Sequence, residues 1–178
     1  MLFRSDCVEL RHHAAHRKSI EAVWYTGKLM GSVLAQTLTD TPQAYVQGIW
    51  FNSAKFFDVE YQIYGEVPVP MPPNYASIYW EHASGNKSLR LVYDASSGAI
   101  KGFNVMGIRY RQVACQQWIS TQTHIEKVLE DLGAANFDPE FFSEYEADLV
   151  RKYNQISGKN IVLKKKRGLQ GLRELLGV

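Results

Sequence analysis

A chain of 178 residues and 20.3 kDa, 46% hydrophobic and 21% charged, can bury a core without staples and is neither disordered, fibrous nor collagen-like. Its apolar runs are broken by Gly, Pro, Asn or Gln well short of the ~20 residues of a membrane span, and Met1-Leu2-Phe3-Arg4 lacks the apolar stretch of a secretory signal. A net charge of +2 with a pI near 8.5 is too mild to argue for nucleic acid, and two distant cysteines, Cys7 and Cys115, exclude a Cys-x-x-Cys redox or zinc motif and fit a reducing cytoplasm.

Met1-Leu2-Phe3 is apolar and stops at Arg4-Ser5-Asp6, reading as the end of a strand whose beginning is missing, because strands usually run about 5–6 residues. The stretch from His12 to Arg17 reads as a loop. His12 and His16 have the i,i+4 spacing of helical zinc ligands, but with no third ligand a solvated loop is the simpler reading and no metal is expected. Ser19 is the expected cap of a long helix in which Val23, Trp24, Gly27, Met30, Gly31, Leu34 and Leu38 recur with helical period. Mid-helix glycines cost about 1 kcal/mol each, so close packing is expected at Gly27 and Gly31. The helix ends between Thr39 and Pro42.

Alternation from Val59 to Tyr64, closed by Gly65, predicts a strand. Pro68, Pro70, Pro72 and Pro73 then make a stiff extended connection. Three strands follow, Ser77–His82, Ser88–Asp94 and Ala99–Arg111, joined by Ser84-Gly85-Asn86 and Ser96-Ser97-Gly98 as an antiparallel meander. Gly102 and Gly107 predict a bulge or a close backbone approach. Two helices close the globular part. One carries Trp118, Ile119, Ile125, Val128, Leu129 and Leu132 with Gly133 as its C-cap; the other opens at Asp138-Pro139 and carries Phe142, Tyr145 and Leu149. From Lys159 on, Lys164-Lys165-Lys166-Arg167 and a short leucine-bearing helix form a basic tail. The expected fold is α+β: a long N-terminal helix and an antiparallel three- to four-stranded sheet, with two C-terminal helices on one face.

Asp6-Cys7-Val8-Glu9 follows the apolar remnant, and Arg17 through Gly27 leads from the loop into the helix. Together they resemble the end of the flavin domain in the pyridine nucleotide–disulfide oxidoreductase superfamily, where a Gly-Asp motif closes the last strand. Ser5 stands where that family has Gly. Trp50-Phe51-Asn52-Ser53, with Gln62 and Gly65, is similar to the opening of the C-terminal interface domain in the ferredoxin-reductase and NADH-oxidase-like branch, although Ser53 and Gln62 are one residue further apart than expected. The His-Pro-x-x-x-x-Glu acid–base motif of the disulfide reductases is absent.

The resemblance covers about residues 3–150 and implies three parts: a flavin-domain remnant over 1–42, an interface domain over 43–156 and a basic tail over 157–178. It implies FAD as the cofactor of an intact parent protein, held loosely or not at all by this chain alone because the dinucleotide folds are missing. Flavin contacts are implied for Asp6, Glu21, Trp24, Thr26, Phe51 and Ser53, with no catalytic residue. The simpler reading of Trp24, Met30 and Leu34 is core, and of Trp50, Phe51, Phe56 and Phe57 core or interface. Partners are implied to be a second copy and the missing FAD and NAD domains, without membrane or nucleic acid. The rival reading is a stand-alone module that binds protein or nucleic acid and carries a basic tail.

Overall fold

The alternating segments 59–65 and 88–94 form strands because their branched and aromatic side chains place one apolar row on a sheet face. The computed structural model describes residues 8–14, 17–137 and 143–164. It holds helix α1 (Trp24–Leu38), strands β1 (Phe51–Phe56), β2 (Val59–Gly65), β3 (Tyr75–Glu81), β4 (Ser88–Asp94) and β5 (Ile100–Met106), then α2 (Gln112–Ser120), α3 (Ile125–Asp131), a 3-10 turn at Leu132–Ala135, and α4 (Glu146–Ser157). The chain divides into two compact units, Met1–Asn52 and Ser53–Val178.

The strands form one five-stranded sheet in the order β1-β2-β5-β4-β3. β3, β4 and β5 are the expected antiparallel meander, and β5 returns to pair with β2, so that the last four strands make a Greek key. The proline stretch is the crossover. It must carry the chain from β2 past two strands to the far edge, about 14 Å at sheet spacing, and a stiff extended segment does so in few residues. Leu89 pairs with Val105 and Leu91 with Phe103, and all four are fully buried. The Phe103 ring lies 6.0 Å from Trp118 of α2. Burying side chains of this size contributes roughly 1.5–3 kcal/mol each. α2 packs on β2 and β5, and α4 on β3.

One turn has chemistry of its own. Asp94 Oδ1 accepts from Ser96 N at 3.1 Å, Ser96 Oγ at 2.7 Å, Ser97 N at 2.9 Å and Ser97 Oγ at 2.9 Å, which holds this carboxyl far below the usual range. Close approach does occur at two of the expected glycines. A Cβ on Gly102 would lie 2.4 Å from Glu66 O, and one on Gly107, at φ 64°, would lie 2.1 Å from Asn86 O.

Several expectations need correction. The sheet has five strands, not three to four. β1 has no alternation, and its two-residue connection to β2, Phe57-Asp58, is not a glycine turn; Phe57 takes φ 50° regardless. β5 stops at Met106 because Gly107 turns the chain, and the irregular register lies at Val92/Tyr93 in β4 instead. The single helix expected around Trp118 is two. Gln122 at φ 51° breaks it, the Thr121 hydroxyl bonds back to Gln117 O at 2.8 Å, and His124 caps α3. Gly133 therefore lies in the 3-10 turn and is not a C-cap.

α4 starts at Glu146 and ends on Gly158 at φ 70°. The expected cap Asp138-Pro139, Phe142, and the tail from Lys165 with its leucine helix lie outside the described residues. Ser19 does not cap α1; its hydroxyl donates to Glu9 Oε1 at 3.3 Å, and Val23 holds the cap position. Gly31 has no atom within 4 Å of its would-be Cβ, so nothing packs closely there.

Candidate functional site

The residues ahead of α1 are rich in groups that can pair with one another. Arg17 and Glu21 are 8% and 4% exposed. The Arg17 guanidinium grips the Glu21 carboxylate with both Nε and Nη2, the latter at 2.6 Å, and its Nη1 donates to Gly48 O at 2.8 Å. Gln47 Nε2 donates to Glu21 Oε1 at 3.1 Å, while Ala14 N donates to Gln47 Oε1 at 3.0 Å. The Trp50 ring lies 5.0 Å from the Arg17 guanidinium carbon, a cation–π contact. The Arg17 fork, with Gln47, ties Ala14 and residues 17–21 to segment 47–50. Tyr45 Oη is buried without a hydrogen-bond partner among the described residues, and burial, reinforced by Glu21 against Arg17, raises its pKa.

This staple sets the start of α1. Thr26 Oγ1 donates to Glu21 O at 3.2 Å and to Val23 O at 3.0 Å. Val23, at the cap position, makes no side-chain cap hydrogen bond, and no acid lies in the first turn. The positive end of the helix dipole therefore has no carboxylate of its own first turn beside it.

The residues singled out in the sequence are placed as follows. Glu21 is buried, and its carboxylate is taken up by Arg17 and Gln47, so it positions its neighbours. Thr26 is buried and donates to main-chain carbonyls. Trp24 opens α1 and is 66% exposed, its ring 5.1 Å from Tyr25 and 5.3 Å from Lys28 Nζ. Phe51 packs its ring 4.4 Å from Tyr25. These four belong to the first unit; Ser53, on β1, opens the second. Asp6 lies outside the described residues. Of the other motif residues, Gln62 Oε1 accepts from Tyr110 N at 2.7 Å, and Gly65, at φ 66°, would place a Cβ 2.2 Å from Lys101 O. Both hold the second unit together.

Two features escaped the sequence reading. One is the Arg17–Glu21 staple, whose i,i+4 spacing was visible but precedes the helix. The other is an apolar cavity of about 290 Å³ along α1, bounded by Val8, Leu10, Met30, Gly31, Leu34 and Tyr45. Leu29 and Leu38 of the same helix are 54% and 58% exposed. Among the described residues no helix is long and apolar enough to cross a membrane.

No family model matches the chain, and no curated protein matches its sequence significantly. Solved structures do match its fold. It is similar to a NAD-dependent persulfide reductase from A. fulgidus, with a TM-score of 0.60 and 17% identity over 92% of this chain and 34% of that one. It is also similar to a FAD-dependent pyridine nucleotide-disulphide oxidoreductase from Desulfovibrio vulgaris, with a TM-score of 0.57 and 14% identity over 86% of this chain and 37% of that one. The chain thus spans about a third of the length of these neighbours.

Proposed function

We propose that the chain is the C-terminal portion of an FAD-dependent NAD(P)H oxidoreductase of the pyridine nucleotide–disulfide type. In this reading it contributes contacts to the flavin edge and a subunit interface, and is not a redox catalyst by itself. The observation that carries the reading is fold likeness over 92% of this chain to one third of a NAD-dependent reductase. The domain division that goes with it is a flavin-domain remnant over 1–42, an interface domain over 43–156 and a basic tail beyond. A buried, unpaired Cys115 fits a reducing cytoplasm as its location.

The start of α1 fits a flavin. The positive end of its dipole favours an electron-rich ring edge, and no carboxylate in the first turn would repel one. FAD would supply the hydride-accepting chemistry when bound. This chain's share is orientation. The Arg17–Glu21 staple fixes the loop that aims the helix, Thr26 locks the first turn, and Trp24 and Phe51 offer aromatic surface. Asp6 would accept a hydrogen bond from a ribityl hydroxyl.

Because no phosphate-binding glycine loop is present in the sequence, the purified chain is expected to be colourless and to hold no stoichiometric flavin. Joined to two upstream dinucleotide folds, it is expected to retain FAD and oxidise NAD(P)H. A visible spectrum and an NAD(P)H assay of both forms decide the matter. A yellow lone chain, or a colourless folded fusion, would overturn the proposal.

Self-association through the second unit belongs to the same reading. Phe56 and Phe57, at the β1–β2 tip, are 63% and 97% exposed, and apolar patches of this kind favour association. Light scattering across a dilution series should report a dimer or larger species, with Phe57→Ser shifting it toward monomer. A monomer at every concentration would refute this part.

A further inference from the structure

Three segments of the second unit bring cations to one place. Lys55 is the penultimate residue of β1, Lys87 precedes β4, and Arg109 follows β5. All three line a cavity of about 390 Å³, whose floor includes Asn136 and Tyr145. That volume falls within the roughly 300–1,000 Å³ of small-molecule sites.

The cations are held in different ways. Arg109 is anchored by Glu60, with Nε at 2.8 Å and an Nη2 contact at 2.7 Å to the same carboxylate oxygen. The turn at Gly107 is what brings Arg109 alongside β2, since Gly107 N donates to Glu60 O at 2.7 Å. Lys87 Nζ lies 5.6 Å from the centre of the Tyr145 ring. That ring is itself fixed by Trp80 at 5.3 Å and His82 at 5.4 Å. Lys87 is therefore aimed by an aromatic surface and not by a carboxylate. Neither Lys55 nor Lys87 has an ion-pair partner among the described residues. Glu60 offsets Arg109 and Asp58 offsets one lysine, so three cations against two acids leave the lining with a net charge of +1. The balance is positive.

We propose that this cavity binds the phosphate group of a small molecule. A carboxylate is planar and suits one guanidinium fork. Donors reaching in from three separate strand ends, with Tyr145 beside them, suit a tetrahedral oxyanion that accepts in several directions. Bonds from charged donors are the strong ones, and two lysines without carboxylate partners have no ion pair to break when the anion arrives. The site is independent of the flavoprotein reading and uses none of its residues.

The test is a titration of the full chain with inorganic phosphate and with phenyl phosphate at constant ionic strength. Amide shifts are followed by NMR, with acetate as the planar control. Saturable shifts are expected at Lys55, Lys87, Gly107, Arg109 and Tyr145. Lys55→Gln and Lys87→Gln should each raise Kd about tenfold, and Lys101→Gln should leave it within about twofold. Binding should weaken as salt rises. Lys55 is exposed, so Lys55→Gln keeps the test valid even if Lys87→Gln disturbs the aromatic cluster. No saturable shift below about 10 mM, equal binding of acetate, or an equal loss in Lys101→Gln would overturn the assignment.

Discussion

Arg17→Ala is expected to destabilise the first unit by about 3–5 kcal/mol, because it strips the partner from a buried carboxylate and leaves Glu21 charged in a site closed to water. Gly48 O loses its donor as well, and the Trp50 ring loses the cation beside it. Hydrogen exchange over residues 17–38 is the readout. Protection of the α1 amides should collapse in Arg17→Ala while that of β4 and β5 stays unchanged. The double variant Arg17→Met with Glu21→Leu should recover much of the loss, since replacing a buried pair by apolar residues of similar size is often neutral. Protection in Arg17→Ala equal to that of the parent would mean that the staple does not hold the helix, and the positioning role assigned to it would fall.

The second large effect concerns Glu146, at the start of α4 and fully buried. Its Oε1 accepts from Asn136 Nδ2 at 3.0 Å and its Oε2 from Tyr145 N at 3.0 Å. The Tyr110 phenol lies near the same carboxyl, its Oη short of a full hydrogen bond. Burial raises this pKa above the ordinary 4.5; the main-chain N–H, Asn136 and Tyr110 oppose the rise, and Glu144 adds to it.

The folded state therefore holds the Glu146 proton more tightly than the unfolded chain does. The contribution to stability is complete below about 4.5 and is lost as pH rises through the raised folded value. Glu146→Gln keeps an acceptor for only one of the two donors, Asn136 Nδ2 and Tyr145 N, and turns an N–H toward the other. It should be less stable than the parent at pH 5, by a smaller margin at pH 8, and should lack this part of the pH dependence. Glu146→Ala leaves the Asn136 amide and the Tyr145 N–H without their acceptor and should cost about 3 kcal/mol. Urea melts of all three proteins at pH 5 and pH 8 decide it. A difference between parent and Glu146→Gln that is the same at both pH values would show that burial does not raise the Glu146 pKa above its unfolded value.

Local pattern alone determined a good part of this protein. β2 and β4 run over the segments whose alternation marks them, Val59–Gly65 and Ser88–Asp94. Ser84-Gly85-Asn86 and Ser96-Ser97-Gly98 turn where those residue types predict, because a positive φ at Gly85 and Gly98 and short side-chain acceptors act within a few residues. The glycines at 102 and 107 announced close approach of the backbone, and motif residues pointed to a fold that the chain shares with a FAD-dependent pyridine nucleotide-disulphide oxidoreductase.

What the chain does over longer separations was decided by tertiary structure. β1 exists because β2 offers it an edge, not because Phe51–Phe56 alternates. The apolar stripe through Trp118 and Leu129 continues across a break, since two short helices on one core need the same inward residues as one long helix. Gly31 faces open space although its spacing suggested a packed face. Period reports which side of a helix is apolar, and only the neighbouring layer decides whether that side is covered. The Asn136–Glu146–Tyr110 cluster and the meeting of Lys55, Lys87 and Arg109 join residues tens of positions apart. Their encounter depends on strand order and register, which no local periodicity encodes.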